Sequence, residues 1–217
     1  MLFTITDVLT DENESYSEIS KLPDFRYEEI KSKIAKCMEF HEVKNIPFNV
    51  FKLAKKMGIK LVKFSELTQK EFQQLSGFGI NFESAGFLAI ASKNGKIIPF
   101  IYYNDAQDSR RIRFTILHEI GHFILGHLEQ SDLAEAEANF FAKYFIAPPV
   151  LIDRINPSDY MQIACVFNLS NQCAWNSFDY YTKWKKHHYK NNELYESYEE
   201  KIINLCCVKE GILDFRN

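Results

Sequence analysis

No apolar run in this 217-residue sequence reaches the ~18–20 residues of a membrane span, so a helical membrane anchor is not expected. The first residues, Met1 to Asp11, carry no basic group ahead of their apolar ones. They do not read as a secretory signal. Cysteine is scarce: five residues, an odd number, without the spacing of a disulfide framework. That points to free thiols in a reducing cytoplasm. Cys206 and Cys207 are adjacent, cannot form an ordinary metal hairpin, and read as partly buried thiols in a helix. A strong charge of either sign is also missing. The net charge of −3 gives no general attraction to nucleic acid or to an anionic membrane. What is present is a 46% hydrophobic composition with 19 Phe and 11 Tyr. The length suits one domain, or one domain and a small appendage, with enough chain for a sizeable core.

The most informative stretch is 113–127, which contains His118-Glu119-x-x-His122. On an α-helix, positions four apart lie one turn up on nearly the same face, so both imidazoles can meet on one metal ion. Glu119 is displaced around the helix, where it can reach an attacking water but does not easily become a third ligand. This is the pattern of a zinc hydrolase with two His ligands and a Glu general base. Ile112, Ile116, Ile120, Phe123 and Ile124 fall at helical spacing around it, which makes the helix a buried one. Gly121, inside that helix, costs about 1 kcal/mol against Ala and makes sense where something packs close to the backbone.

A catalytic zinc needs a third protein ligand and one open position. A further His six residues after His122 would fit one known pattern, but that position is Leu128. His127 is one place short and reads as a helix C-terminal His favoured by the dipole. The better source is a second helix, Ala134 to Ile146, ended by Pro148-Pro149. Its alanines permit close helix approach. Glu135 and Glu137 point to different faces, so one of the two is expected as the ligand.

Residues 1–24 are acidic and mixed and read as a loosely attached arm. Phe25 to Phe40 has helical spacing. Pro47 opens a helix to Met57, stopped by Gly58, and Ile59 to Phe64 alternates as a strand. Residues 65–85 read as a loop with some helix. Gly86 to Ser92 and Ile97 to Tyr103 are strands joined by an Asn94-Gly95 turn. An edge strand there could hold an extended peptide as an added strand. Asp108 or Ser109 caps the motif helix. Arg110, Arg111 and Arg113 lie in its first turn, where positive charge is unfavourable, and are expected to have structural partners. Tyr160 to Phe167 and Asn171 to Trp184 are helices around a short turn, the outline of a helix-turn-helix. The second helix offers amides but no Arg or Lys before Lys183, so direct DNA contact is not expected. His187-His188 read as solvated residues of a basic segment. Residues 191–217 read as a final amphipathic helix with a tail.

Phe114-Thr-Ile-Leu-His118-Glu119-Ile-Gly-His122, preceded by Arg110-Arg111 and followed by Glu135-x-Glu137-Ala-Asn139-x-Phe-Ala142, resembles the ImmA/IrrE family of metallopeptidases. Ile46-Pro47-Phe48 through Gly58-Ile59 is similar to the family's first helix and strand. Gly86-Phe87 and Ile97-Ile98 through Tyr103-Asn104 resemble its strands before the motif, and Phe167-Asn-Leu-Ser170 a later turn. The likeness covers roughly residues 40–180, and departs at Ala147-Pro148-Pro149, where Leu-Met-Pro is more usual.

The resemblance implies an α+β fold: a zincin-like metallopeptidase core, made of a small twisted sheet, an active-site helix and a second ligand helix, followed by a C-terminal helical subdomain of helix-turn-helix type. The boundaries expected are an arm at 1–24, the core at 25–150 and the helical subdomain at 151–217. It also implies His118, His122 and Glu137 as zinc ligands, with Glu135 as the fallback, and Glu119 as the catalytic base. The oxyanion donor stays open among Tyr102, Tyr103 and Tyr144. The function it implies is a cytoplasmic zinc endopeptidase that cuts a helix-turn-helix repressor, releasing genes of a mobile element, prophage or stress response. The competing expectation is a zinc-containing regulator that acts by binding a repressor or DNA without cutting. Glu119 favours the enzyme, because a structural zinc takes four protein ligands and needs no general base.

Overall fold

The computed structural model describes residues 3–4, 22–77, 80–81, 83–93, 95–127, 129, 131–191 and 195–206. The chain forms two compact units, Met1–Tyr27 with Val50–Ala142, and Glu28–Asn49 with Lys143–Asn217. The architecture is α+β, with one small mixed sheet and many helices.

In the first unit, β1 (Phe3–Thr4), β2 (Lys60–Lys63), β3 (Gly86–Lys93) and β4 (Lys96–Tyr103) make a sheet in the order β1-β3-β4-β2. β3 and β4 pair antiparallel from Gly86↔Tyr103 to Lys93↔Lys96. At their turn Gly95 takes φ 73°, as an Asn-Gly connection requires, while Asn94 lies outside the described residues. β2 runs parallel to β4, Lys60 opposite Phe100. The expected N-terminal arm falls mostly outside the described residues, but Phe3 and Thr4 pair with Ala91 and Ile90 as a short edge strand.

Under the sheet, Phe64, Phe72, Leu75, Ile80, Phe87 and Ala89 form a buried cluster. Phe72 and Leu75 come from α3 (Gln69–Ser76), which opens on a capping box between Thr68 and Glu71. The helix expected somewhere in the loop of 65–85 is thus α3, eight residues with their own cap.

The motif helix is α4 (Ser109–Leu125). Asp108 caps it, its side chain accepting from the Arg110 N–H at 2.9 Å. Two of the three arginines of its first turn have structural partners of the kind expected: Arg110 Nε lies 3.1 Å from Asp108 and Arg111 Nε 3.2 Å from Gln107 Oε1. Ile116 and Ile120 are fully buried. α4 lies so close to the sheet that a Cβ on Gly86 would sit 2.6 Å from the Tyr102 carbonyl oxygen and 2.7 Å from Thr115 Cγ2. α2 (Val50–Lys56) and α5 (Asp132–Ile146) as far as Ala142 complete this unit, with the opening of α1 (Asp24–Phe40). The helix expected to begin at Pro47 begins three residues later, at Val50.

The second unit is helical. Glu28–Asn49, expected with the core, belong here by their contacts. Tyr198 donates its hydroxyl to Glu28 at 2.8 Å, Lys201 reaches Glu39 at 3.1 Å and Cys206 Sγ lies 3.5 Å from the Val43 carbonyl. α6 (Pro149–Ile155), with proline at its first position, was not visible as a helix in the sequence. α7 (Tyr160–Phe167) begins on Asp159, whose side chain accepts from the Met161 and Gln162 N–H groups. Asn168 at φ 53° turns the chain into α8 (Asn171–Asn191), longer than expected. α9 (Ser197–Leu205) realises part of the expected last helix; residues 207–217, with Cys207, lie outside the described residues. Cys37, Cys165, Cys173 and Cys206 are free, and burial pushes the Cys37 thiol up to about 12. Among the described residues no helix is long and apolar enough to cross a membrane.

Candidate metal centre

The four-residue spacing on α4 brings His118 and His122 together: their Nε2 atoms are 2.9 Å apart. Both rings are buried, with 2% and 0% of their surface exposed, and Glu119 between them is buried as well. α5 packs across α4 at Gly121, where an added Cβ would meet Phe141 at 3.1–3.2 Å. Close packing at Gly121, read from the sequence, is therefore the approach of the second helix.

That approach delivers Glu135. Its Oε2 is 3.3 Å from His118 Nε2 and its Oε1 3.5 Å from His122 Nε2. Ligand atoms of His118, His122 and Glu135 all lie within 4.8 Å of one another. Glu135 keeps a quarter of its side chain exposed while the imidazoles are sealed.

Glu137, the residue the resemblance selected, is placed differently. It points to another face of α5, as two residues' separation dictates, and is held there. Arg26 grips it with two charge-assisted hydrogen bonds, Nε to Oε1 and Nη2 to Oε2, both 2.5 Å. His127 donates its Nε2–H to Oε2 at 2.9 Å. Burial works against the charge, but the hydrogen bonds from Arg26 and His127 prevail and hold the Glu137 carboxyl below the usual range. The structure therefore brings the fallback, Glu135, to the histidines, and not Glu137.

The outer contacts fix the protons. Asn139 Oδ1 lies 3.2 Å from His118 Nδ1 and accepts its N–H, which leaves the His118 Nε2 lone pair facing inward. Glu137, ionised and gripped by Arg26, can only accept, so His127 carries its proton on Nε2. In the neutral ring the His127 Nδ1 then accepts from His122 Nδ1 at 2.8 Å, and the His122 Nε2 is likewise a bare lone pair. Burial, with His118 and His127 nearby, pushes the His122 pKa down to about 2. Two lone pairs thus face each other at 2.9 Å beside a carboxylate, and the buried Oε1 of Glu135 accepts no hydrogen bond. This is an arrangement that a cation resolves.

A tetrahedral zinc with bonds of about 2.0–2.1 Å would hold its ligand atoms roughly 3.3 Å apart. The imidazole nitrogens are 2.9 Å apart, and each faces a different oxygen of the same carboxylate at 3.3 and 3.5 Å. One ligand atom from each of the three residues lies within 4.8 Å of the others, a set that closes on a zinc with a small movement of the Glu135 side chain. Two imidazoles and one carboxylate are also the donors of a catalytic zinc site that leaves one position open.

His127, Asn139 and Arg26 were not read from the sequence as parts of a site. Of the tyrosines weighed as oxyanion donors, Tyr102 stacks on Phe87 at 4.6 Å and Tyr103 meets Phe51 edge-on. Tyr144 lies in the second unit. The oxyanion donor stays unassigned.

Residues 54–174, more than half of the chain, match the family model Peptidase_M78, described as the IrrE N-terminal-like domain. The chain belongs to this family. The match to this peptidase family runs from within α2 to the start of α8 and takes in every residue of the cluster except Arg26. No curated protein matches the chain.

Proposed function

We propose that this M78 family member is a zinc-dependent endopeptidase with His118, His122 and Glu135 as its metal ligands and Glu119 as its general base. The observation that carries the reading is the facing pair of imidazole lone pairs beside Glu135, with Glu119 one residue from the first of them. Zinc, when bound, would supply a Lewis acid that polarises the peptide carbonyl and makes water a usable nucleophile near neutral pH. Glu119 takes a proton from the attacking water and returns it to the leaving amine. His118 and His122, neutral and locked by their outer hydrogen bonds, present Nε2 without rearrangement. The core is read as zincin-like, with α4 carrying the motif and α5 the third ligand.

The substrate follows from the family resemblance alone: a helix-turn-helix transcriptional repressor, cut to release genes of a mobile element, prophage or stress response. The chain's own helix–turn–helix outline, α7 and α8, gives little support to DNA contact. Lys183 is paired with Asp179 at 2.6 Å and Lys185 lies 3.5 Å from Asp153, so part of the basic run is neutralised locally.

The test is metal content by mass spectrometry in wild type, His122→Ala, Glu135→Ala and Glu137→Ala, with cleavage assays on Glu119→Gln. About one zinc per chain is expected in wild type, lost in His122→Ala and Glu135→Ala. Glu119→Gln should keep its zinc and lose roughly 10²–10⁴-fold in cleavage rate. A wild type that binds no zinc would remove the peptidase reading and leave a regulator that acts by contact.

A further inference from the structure

We infer that His127, Glu137 and Arg26 form an outer chain that holds His122 in the one tautomer able to bind a metal, so that Glu137 acts as a positioning residue for the site. The inference rests on the zinc reading above and extends it to residues that touch no metal.

The chain is continuous and directional. Arg26 donates twice to Glu137, Glu137 accepts from His127 Nε2, and His127 Nδ1 accepts from His122 Nδ1. Every link is 2.9 Å or shorter. With His127 neutral and the carboxylate ionised, only one proton assignment satisfies all of them, and it bares the His122 Nε2. Reversing the neutral His127 tautomer would set its bare Nε2 against the Glu137 carboxylate, losing that hydrogen bond, and its Nδ1–H against His122 Nδ1, leaving His122 with its proton on the inner nitrogen. Neither Arg26 nor Glu137 needs His127 to satisfy a simple ion pair, so the insertion of the imidazole between Glu137 and His122 calls for a separate reason.

The position of His127 is itself built. Gly126 ends α4 at φ 76°, and the His127 N–H returns to the His122 carbonyl at 3.1 Å. This is the 6→1 bond of a Schellman turn. It lays the His127 ring beside the ring of His122, with centroids 4.9 Å apart. The two ligand imidazoles are thereby oriented by different partners: His118 by the neutral amide of Asn139, His122 by a chain that ends on a carboxylate. Outer partners of this kind fix ring orientation and raise ligand basicity, and their loss costs about 10–100-fold in metal affinity.

The experiment uses the full chain and zinc alone. Zinc affinity is measured by competition with a chromophoric chelator for wild type, His127→Phe, Glu137→Gln and Glu135→Gln, with stoichiometry at saturating zinc and a circular-dichroism melt for each. His127→Phe keeps a ring but loses the acceptor, and Glu137→Gln keeps the shape but loses the charge. Both are expected to bind one zinc per chain with affinity lowered about 10–100-fold. Wild-type affinity in His127→Phe would overturn the inference while leaving the zinc reading intact. Glu137→Gln that takes no zinc, beside a Glu135→Gln that does, would make Glu137 a ligand and overturn it as well. A wild type without zinc would remove both readings. Should His127→Phe fail to fold, nitrogen NMR of the wild-type imidazoles decides. His122 protonated on Nδ1 is the expected result, and protonation on Nε2 would overturn the inference.

Discussion

Gly121 lies one residue before His122, and a Cβ there would come within 3.1–3.2 Å of three atoms of the Phe141 side chain. Phe141 is fully buried and belongs to α5, which also carries Glu135. Alanine at 121 would gain about 1 kcal/mol of helix propensity, but overpacking a closed core costs about 1–3 kcal/mol. Since Phe141 has no open side to move toward, Gly121→Ala is expected to lower stability by about 1 kcal/mol net, a few degrees of melting temperature. It should also weaken zinc binding by pushing α5 from α4. A variant that melts higher than wild type would show that α5 adjusts freely. At this scale the sequence spoke where chemistry depends on one offset along one helix. His118, Glu119 and His122 could be placed together because four residues make about one turn. The third ligand could be narrowed to Glu135 or Glu137 but not decided, since the choice depends on how α5 is rotated against α4. Arg26 was silent: its partner Glu137 is 111 residues away, and nothing in a local pattern reports that contact.

Helix ends decide what a side chain near them can reach. Read as a continuing helix, His127 would point roughly 140° away from His122, which made it a dipole-favoured terminal residue and nothing more. Gly126 was the overlooked signal, because a left-handed residue at a helix end folds the next one back. Replacing it with Ala forces a Cβ into the left-handed region at about 1–2 kcal/mol, whereas Asn tolerates it. Gly126→Ala is therefore expected to lose about 1 kcal/mol in denaturant unfolding and to bind zinc more weakly, while Gly126→Asn stays closer to wild type in both. Equal behaviour of the two variants would mean that the turn does not aim His127. The other elements divide along the same line. The β3–β4 hairpin, α4 and α7 were legible because periodicity and caps coincided. The bounds of α3 were hidden in a polar stretch that read as a loop with some helix, and α6 began on the Pro-Pro that looked only like a stop. Residues 28–49 had the right local structure but the wrong neighbours, because contacts such as Tyr198 to Glu28 are set by packing, not by local pattern.

His122 in the first unit and Glu199 in the second titrate in opposite senses, which makes the pH dependence of the whole chain informative. In the first unit, burial pushes the His122 pKa from 6.5 down to about 2. Between those values the unfolded chain holds a proton that the zinc-free fold does not. The stability of the zinc-free protein must therefore fall as pH drops below about 6.5, by about 1.4 kcal/mol per pH unit for a group shifted that far. Glu137 is shifted down too, but a depressed carboxylate loses its contribution only below the ordinary range near 4.5. In the second unit, burial raises the Glu199 pKa above 4.5. Its contribution is present at low pH and lost as pH rises through the raised value, so it opposes the histidine. Removing His122 separates the two. Denaturant unfolding of chelator-stripped wild type and His122→Leu at pH 5.5 and 7.5 should give a wild type that loses more stability on acidification, by about 1.4 kcal/mol, than the variant. At pH 7.5, zinc at a hundred times its dissociation constant should add about 2.7 kcal/mol to wild type and nothing to His122→Leu. Equal pH slopes in the two proteins would mean that His122 titrates in the fold as it does in the open chain, and that the inward lone pair on which the metal site depends is not held in place by burial.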